Sequence, residues 1–252
     1  MAELVYAPVV VAARAAFKAL GLSIDLSGSE NVPRTGGAVL ACNHIGYLDF
    51  IFAGLGAHPA DRYVRFMAKD GVWKSAVGGP LMRGMKHIPV DRTAGAESFR
   101  VALEALRAGE IVGIFPEATI SRSFELKDFK NGAARLAQEA GVPLLPTVVW
   151  GSQRLMTKGR PRDFGRGKAL SVSVGRLIRV PAAADADLAT AELKDAMRVL
   201  LDSAIERYPQ APDGPDDAWW MPARLGGSAP TLQEATRMDR VEAVDRAKRD
   251  SA

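Results

Sequence analysis

The 252-residue chain has a single cysteine, Cys42, so it can form no intrachain disulfide and fits a reducing compartment. Histidine is nearly as scarce, with His44, His58 and His87 the full set. One cysteine and three histidines in this arrangement give no zinc-ligand pattern, and neither metal nor cofactor is expected. There is no Gly-x-Ser-x-Gly and no Walker A loop, which removes the commonest serine-hydrolase and P-loop signatures. No dense Lys/Arg run interleaves with aromatics, so nucleic acid is not an expected partner. A net charge of +4 suits anionic substrates or an anionic membrane surface.

Long apolar runs are also lacking. The nearest, residues 4–22, is broken by Pro8, Arg14 and Lys18. Two cations near mid-bilayer cost more than its aliphatic residues recover, so spanning is disfavoured. A cleaved signal peptide is disfavoured too, because the charges follow the first apolar run instead of preceding it. Two readings stay open: an interfacial helix with Arg14 and Lys18 turned toward headgroups, or a helix packed on the protein's own core.

What the chain does have is His44 and Asp49, separated by Ile45-Gly46-Tyr47-Leu48. A carboxylate beside an imidazole fixes its tautomer and stabilises the imidazolium, so such a pair can take a proton from an alcohol near neutral pH. In one regular helix the two side chains would lie about 140° apart. They meet only if His44 sits in irregular backbone and Asp49 in the following helix, with Gly46 allowing the bend. Residues 38–42 predict a short buried strand that delivers Asn43 and His44 at its C-terminal end, and residues 48–57 the helix.

Strands are also expected at 63–67, 86–90, 111–115, 144–150 and 170–180. Helices are expected at 96–108, 133–140 and 188–208. This alternation implies an α/β fold, a mostly parallel or mixed sheet flanked by helices. The N-terminal helix and a C-terminal tail complete the expected organisation: 1–30 an apolar or interfacial helix and linker, 31–208 the catalytic domain, and 209–252 a linker and helical tail. Trp219 and Trp220 in that tail could anchor at a membrane or pack back onto the domain, the commoner use.

Further blocks follow the His-Asp pair in order: Ile88-Pro89-Val90-Asp91-Arg92, Phe115-Pro116-Glu117-Ala118-Thr119-Ile120-Ser121-Arg122, and Gly141-Val142-Pro143-Leu144-Leu145-Pro146. Together they resemble the glycerolipid acyltransferase family, whose best-known members acylate 1-acylglycerol-3-phosphate. The resemblance covers roughly residues 35–150. It implies His44 as base and Asp49 as its orienter, with acyl-CoA or an acyl carrier protein thioester as co-substrate and lysophosphatidic acid as acceptor. It also implies a peripheral or monotopic place at the cytoplasmic face of a membrane.

On the same grounds Asn43, Arg92, Glu117, Ala118, Thr119, Ser121, Arg122 and Lys130 are candidates for substrate binding. Asn43 has a second reading as a brace of its loop. The third block of the family looks like Phe-Pro-Glu-Gly-Thr-Arg-Ser, and this chain departs from it twice. Ala118 replaces the glycine, which argues against a need for unusual φ there, although a backbone amide could still donate to an oxyanion. Ile120 replaces the arginine, so its phosphate contact passes to Arg122 and Arg92, whose planar guanidinium groups suit a phosphate monoester.

Alternatives remain at this level. Glycerol-3-phosphate, another lysophospholipid or a glycolipid would demand similar chemistry, water in place of the alcohol would give a thioesterase, and a silent lipid-binding module would need no chemistry. Cys42 invites a covalent acyl-cysteine route, against its simpler place as a small buried residue.

Overall fold

A computed structural model of the chain describes residues 4–91 and 95–250, apart from the side chains of 246, 247, 249 and 250. Seven strands form one sheet in the order β1-β7-β6-β2-β5-β3-β4. They are β1 (Ser23–Ser27), β2 (Ala38–Cys42), β3 (Val64–Lys69), β4 (Ile88–Val90), β5 (Ile111–Ile114), β6 (Leu144–Trp150) and β7 (Ala169–Val174). All neighbouring pairs are parallel except β6 with β7, so β1 and β7 run against the other five. The sheet is therefore mixed and flanked by helices, as expected.

The central strands are apolar on both faces because both are covered. Along β2, Val39 and Ala41 enter one core with β6 residues Leu144, Val148 and Trp150. Helices α4 (Gly95–Arg107), α5 (Gly132–Ala140) and α6 (Ala186–Glu206) close that side, with Leu106, Leu136, Leu193 and Met197 buried. Ala38, Leu40 and Cys42 enter the other core, beneath α1 (Tyr6–Ala19) and α2 (Asp49–Ala57). The period of two along β2 thus serves two helical layers.

Helix α1 packs on the protein. Tyr6 and Phe17 are buried, Phe17 stacks on Phe52 at 5.0 Å, and the Tyr6 hydroxyl donates to the Val64 carbonyl at 2.9 Å. Arg14 and Lys18 lie on the exposed face. Burying Phe17 alone is worth about 1.5–3 kcal/mol, which undocking would forfeit. No helix among the described residues is long and apolar enough to cross a membrane.

Two elements were not anticipated. The edge strand β1 lies in a polar stretch, and a short α3 (Gly78–Gly84) forms despite three glycines and a proline. The late strand ends at Val174, short of residue 180. In the tail the tryptophans fold back. Trp219 meets Phe124, while Trp220, fully buried, lies against Tyr208 and beneath the Arg154 guanidinium at 4.4 Å. Helix α7 (Leu232–Asp250) ends the described chain.

Candidate functional site

Strands β5, β2 and β6 are adjacent and parallel, so their C-terminal ends open on one edge of the sheet, where crevices form in open α/β folds. β2 delivers His44, the turn after β5 delivers Glu117, and the turn after β6 delivers Ser152.

Asp49 opens α2, and its side chain folds back over the preceding loop. Its Oδ2 accepts from the amides of Ile45 at 2.7 Å and Gly46 at 2.8 Å, and lies 3.0 Å from His44 Nδ1. Because that oxygen can only accept, Nδ1 carries the proton and the lone pair of Nε2 is left for a substrate. Ser152 Oγ donates to the other oxygen, Oδ1. The His44 ring also stacks on Phe115 at 4.2 Å and keeps about a fifth of its side chain exposed. Asp49 is fully buried and His44 partly open, the arrangement of a fixed orienter and a reachable base. Gly46 serves by lacking a side chain: a Cβ there would come 3.1 Å from Ser152 Oγ and 3.2 Å from Asp49 Oδ1.

Other candidates spend their polar atoms inside the protein. Asn43 donates to the Val149 carbonyl at 3.0 Å and accepts from the Val149 amide at 2.8 Å, continuing the β2–β6 ladder by one side chain. Glu117 accepts from the His44 amide at 2.8 Å and the Lys127 amide at 3.0 Å, one through each oxygen. Burial pushes its carboxyl up to about 8, against the pull of those two amides. The Ser121 amide donates to the His44 carbonyl at 2.7 Å, and its hydroxyl donates to the Glu125 carbonyl. These three hold the loop from behind, Asn43 matching its reading as a brace.

Ala118 has φ +61°, the left-handed region, so the unusual backbone persists without the glycine, contrary to the expectation from its identity. Its amide donates to the Phe115 carbonyl at 3.0 Å and is therefore spent within the turn rather than offered to an oxyanion. Thr119 is half-buried beside Lys127, Lys130 is exposed, and Ile120 is buried where the family's motif has arginine. Arg122 turns to the C-terminal helix, donating to Glu242 at 2.8 Å. Arg92 lies outside the described residues.

The remaining candidate chemistry is closed off. Cys42 is fully buried, and burial followed by the charges of Asp49 and Glu117 raises its thiol well above the usual value, so it is no nucleophile. His87 is pushed down to about 4, first by burial and then by Arg65, and accepts from the Phe66 amide at 3.0 Å as a neutral core residue. No group of His, Cys, Asp and Glu able to hold a metal occurs among the described residues.

Sequence reasoning missed Ser152, Thr157 and Phe115. Thr157 Oγ1 donates to the Ile45 carbonyl at 2.6 Å, and the Tyr47 amide donates to the Met156 carbonyl at 2.9 Å, so residues 152–157 grip the catalytic loop from the β6 side. No local signal could have found Ser152: it lies two residues beyond β6, and only the sheet order shows that β6 neighbours β2.

The geometry agrees with the comparisons to known proteins. Residues 23–150 match the family model described as Acyltransferase. The chain is 34% identical over 141 residues to a 1-acyl-sn-glycerol-3-phosphate acyltransferase of Bacillus subtilis, covering 54% of this chain and 69% of that one. A protein of the same name from Borreliella burgdorferi is 29% identical over 165 residues, 64% of this chain and 63% of that one. A chloroplastic relative of Arabidopsis thaliana is 30% identical, with only 40% of its length covered. Among solved structures, the 1-acyl-sn-glycerophosphate acyltransferase PlsC of Thermotoga maritima superposes with a TM-score of 0.67 at 22% identity, covering 78% of each chain, which is a likeness of fold. With its family model spanning the His-Asp pair, both flanking strands and the Glu117 brace, this chain belongs to the Acyltransferase family.

Proposed function

We propose that the protein transfers a long acyl group from an acyl-CoA or acyl carrier protein thioester to the sn-2 hydroxyl of 1-acylglycerol-3-phosphate, giving phosphatidic acid. The observation that carries this reading is the 3.0 Å contact of His44 Nδ1 with the buried Asp49, which leaves Nε2 as the accepting nitrogen at a partly open site. The names of the relatives in Bacillus subtilis and Borreliella burgdorferi support the acceptor. As the acceptor oxygen attacks the thioester carbonyl, His44 takes its proton; as the tetrahedral intermediate collapses, the same nitrogen returns the proton to the leaving thiolate. Asp49 stabilises the transient imidazolium throughout. Arg92 and Arg122 are the candidates for the acceptor phosphate, while Asn43, Glu117 and Ser121 act by holding His44 in place.

The test is product analysis. Purified protein given palmitoyl-CoA with 1-acylglycerol-3-phosphate, glycerol-3-phosphate or no acceptor should form mainly phosphatidic acid by mass spectrometry. Free fatty acid under every condition would make it a thioesterase, and acylated product from only a non-phosphorylated lipid would remove the phosphate acceptor.

The lipid acceptor places the reaction at a membrane surface, on the cytoplasmic side where the thioester donors are, with the exposed cations of α1 toward anionic headgroups. Arg14→Glu with Lys18→Glu should then reduce co-sedimentation with anionic vesicles at unchanged melting temperature. Unchanged co-sedimentation would assign α1 to the core alone.

A further inference from the structure

Arg122, Lys127 and Lys158 converge on two carboxylates of α7. Arg122 donates to Glu242 at 2.8 Å, and its Nε lies 3.5 Å from Asp239. Lys127 Nζ donates to Asp239 at 2.5 Å and to Thr119 Oγ1 at 2.6 Å. Lys158 Nζ donates to Asp239 at 3.1 Å and lies 2.8 Å from Glu242. The three cationic side chains are only 15–18% exposed, so like charges are held close together with little water between them. That arrangement is costly unless an anion lies among them.

The cluster is tied to the catalytic loop from two sides. Lys127 and His44 share Glu117 as the acceptor of their backbone amides. Lys158 follows Met156 and Thr157, which hold Tyr47 and Ile45.

The α7 helix is weakly seated over this cluster. It begins with a capping box in which Glu234 accepts from the Thr231 amide at 2.8 Å and Thr231 Oγ1 accepts from the Glu234 amide at 3.3 Å. Among its described side chains only Ala235 is buried, and the face turned to the body runs Ala235, Asp239, Glu242 at helical spacing. An open cavity of about 450 Å³ runs along the helix beside Arg122. Ion pairs and not apolar burial therefore hold α7 down, so an anion offering the three cations equivalent charge can take the place of its carboxylates without opening a hydrophobic core. The buried Arg122 Nε also has no hydrogen-bond partner among the described residues, its nearest carboxylate oxygen being that of Asp239 at 3.5 Å.

We infer that Arg122, Lys127 and Lys158 form a binding site for a phosphate monoester, and that Asp239 and Glu242 of α7 occupy it as an internal competitor. A phosphate monoester carries about two negative charges and three acceptor oxygens on one tetrahedral centre, matching the charge of the two carboxylates in a smaller volume. Lys158 is thereby a specificity residue contributed from outside the sequence blocks that mark the family. The inference rests on the proposed phosphorylated acceptor but is separable from it.

The test uses the full chain carrying Asp239→Asn with Glu242→Gln, with a thermal melt to establish folding. Removing the competitor should lower KM for 1-acylglycerol-3-phosphate about threefold or more, with kcat and KM for palmitoyl-CoA unchanged. Inorganic phosphate, followed by 31P NMR titration, should bind this variant more tightly than the wild type. Lys158→Met in the same background should reverse both effects. Phosphate binding equal in all three proteins overturns the site and its competitor, even if wild-type protein makes phosphatidic acid. Tighter phosphate binding in the double variant of a protein that makes no phosphatidic acid would support the site while removing the proposed reaction.

Discussion

Two anionic constellations lie within one loop's reach of each other, and they are built on opposite principles. At Asp49, one carboxylate is fully buried and accepts from backbone amides three and four residues before it, from His44 and from Ser152. At Asp239 and Glu242, carboxylates on a half-exposed helix face three cations brought from two separate loops. Burial pushes Asp239 up, yet its hydrogen bonds from Lys127 and Lys158 outweigh this and hold it below the usual range. The first set is fixed by short-range backbone bonds and cannot rearrange without breaking the junction of β2 and α2. The second is held by side-chain ion pairs that another anion can replace. A proton-transfer group needs the first kind of support, and a site that must exchange its occupant needs the second.

The largest expected effect breaks the rigid half. His44→Ala should lower kcat by at least about 10²-fold, the lower end for loss of a general base, and Asp49→Asn should also be severe because the amide cannot fix the same tautomer. Steady-state turnover of the folded variants checks this, and near-wild-type kcat in either would remove the mechanism. Next is Ser152→Ala, which leaves Asp49 Oδ1 without its donor. Loss of a hydrogen bond to a charged group should destabilise the fold by about 1.5–3 kcal/mol in denaturant titration and lower kcat with KM little changed. Wild-type values for both quantities would show Ser152 to be a bystander.

Glu117→Gln sharpens the comparison through pH. Both oxygens of Glu117 face amide donors, so an amide at this position sets its NH2 against one of them, at a cost of about 1–3 kcal/mol. The carboxyl titrates near 8 in the folded protein against a usual 4.5, so between those values the folded state binds more protons than the unfolded one. Stability of the wild type should therefore fall as pH rises from about 4.5 toward 8, and the variant should lack that part of the slope. Parallel profiles of the two proteins, measured by denaturant titration across this range, would contradict a buried titrating Glu117.

How much was legible in the sequence follows the same division. The His-Asp pair could be read because its geometry is local: a strand end, a loop without a side chain at Gly46, and a helix start. Strands β2 and β6 could be read with their bounds because runs such as Ala38–Cys42 and Leu144–Trp150 are apolar on both faces. By contrast, β1 has only Ile24 and Leu26 among polar residues and is a strand because it lies beside β7, whose partner residue for Ser23 is Ala169. The pairing of Asp49 with Ser152, and of Lys158 with Asp239, joins segments far apart in sequence, which no local pattern encodes. Ala118 misled because its side chain argues for ordinary φ while the turn between Phe115 and Ser121 imposes another.

The smallest expected effect isolates that last point. Ala118 holds φ +61° with its side chain exposed, so its conformation is imposed by the turn and not repaid by packing. A left-handed alanine costs about 1–2 kcal/mol relative to its preferred backbone. Glycine removes this strain but gives back about 0.4–1 kcal/mol through the greater freedom of the unfolded chain. Ala118→Gly should therefore stabilise the protein by about 0–1.5 kcal/mol, read as a small rise in melting temperature. Turnover should be unchanged, because the Ala118 amide already bonds the Phe115 carbonyl and glycine keeps that bond. A clear loss of stability would mean that the methyl group packs usefully in this turn. A several-fold rise in kcat at unchanged stability would mean instead that the motif's glycine serves close approach of the substrate to the backbone, and that alanine here restrains the enzyme.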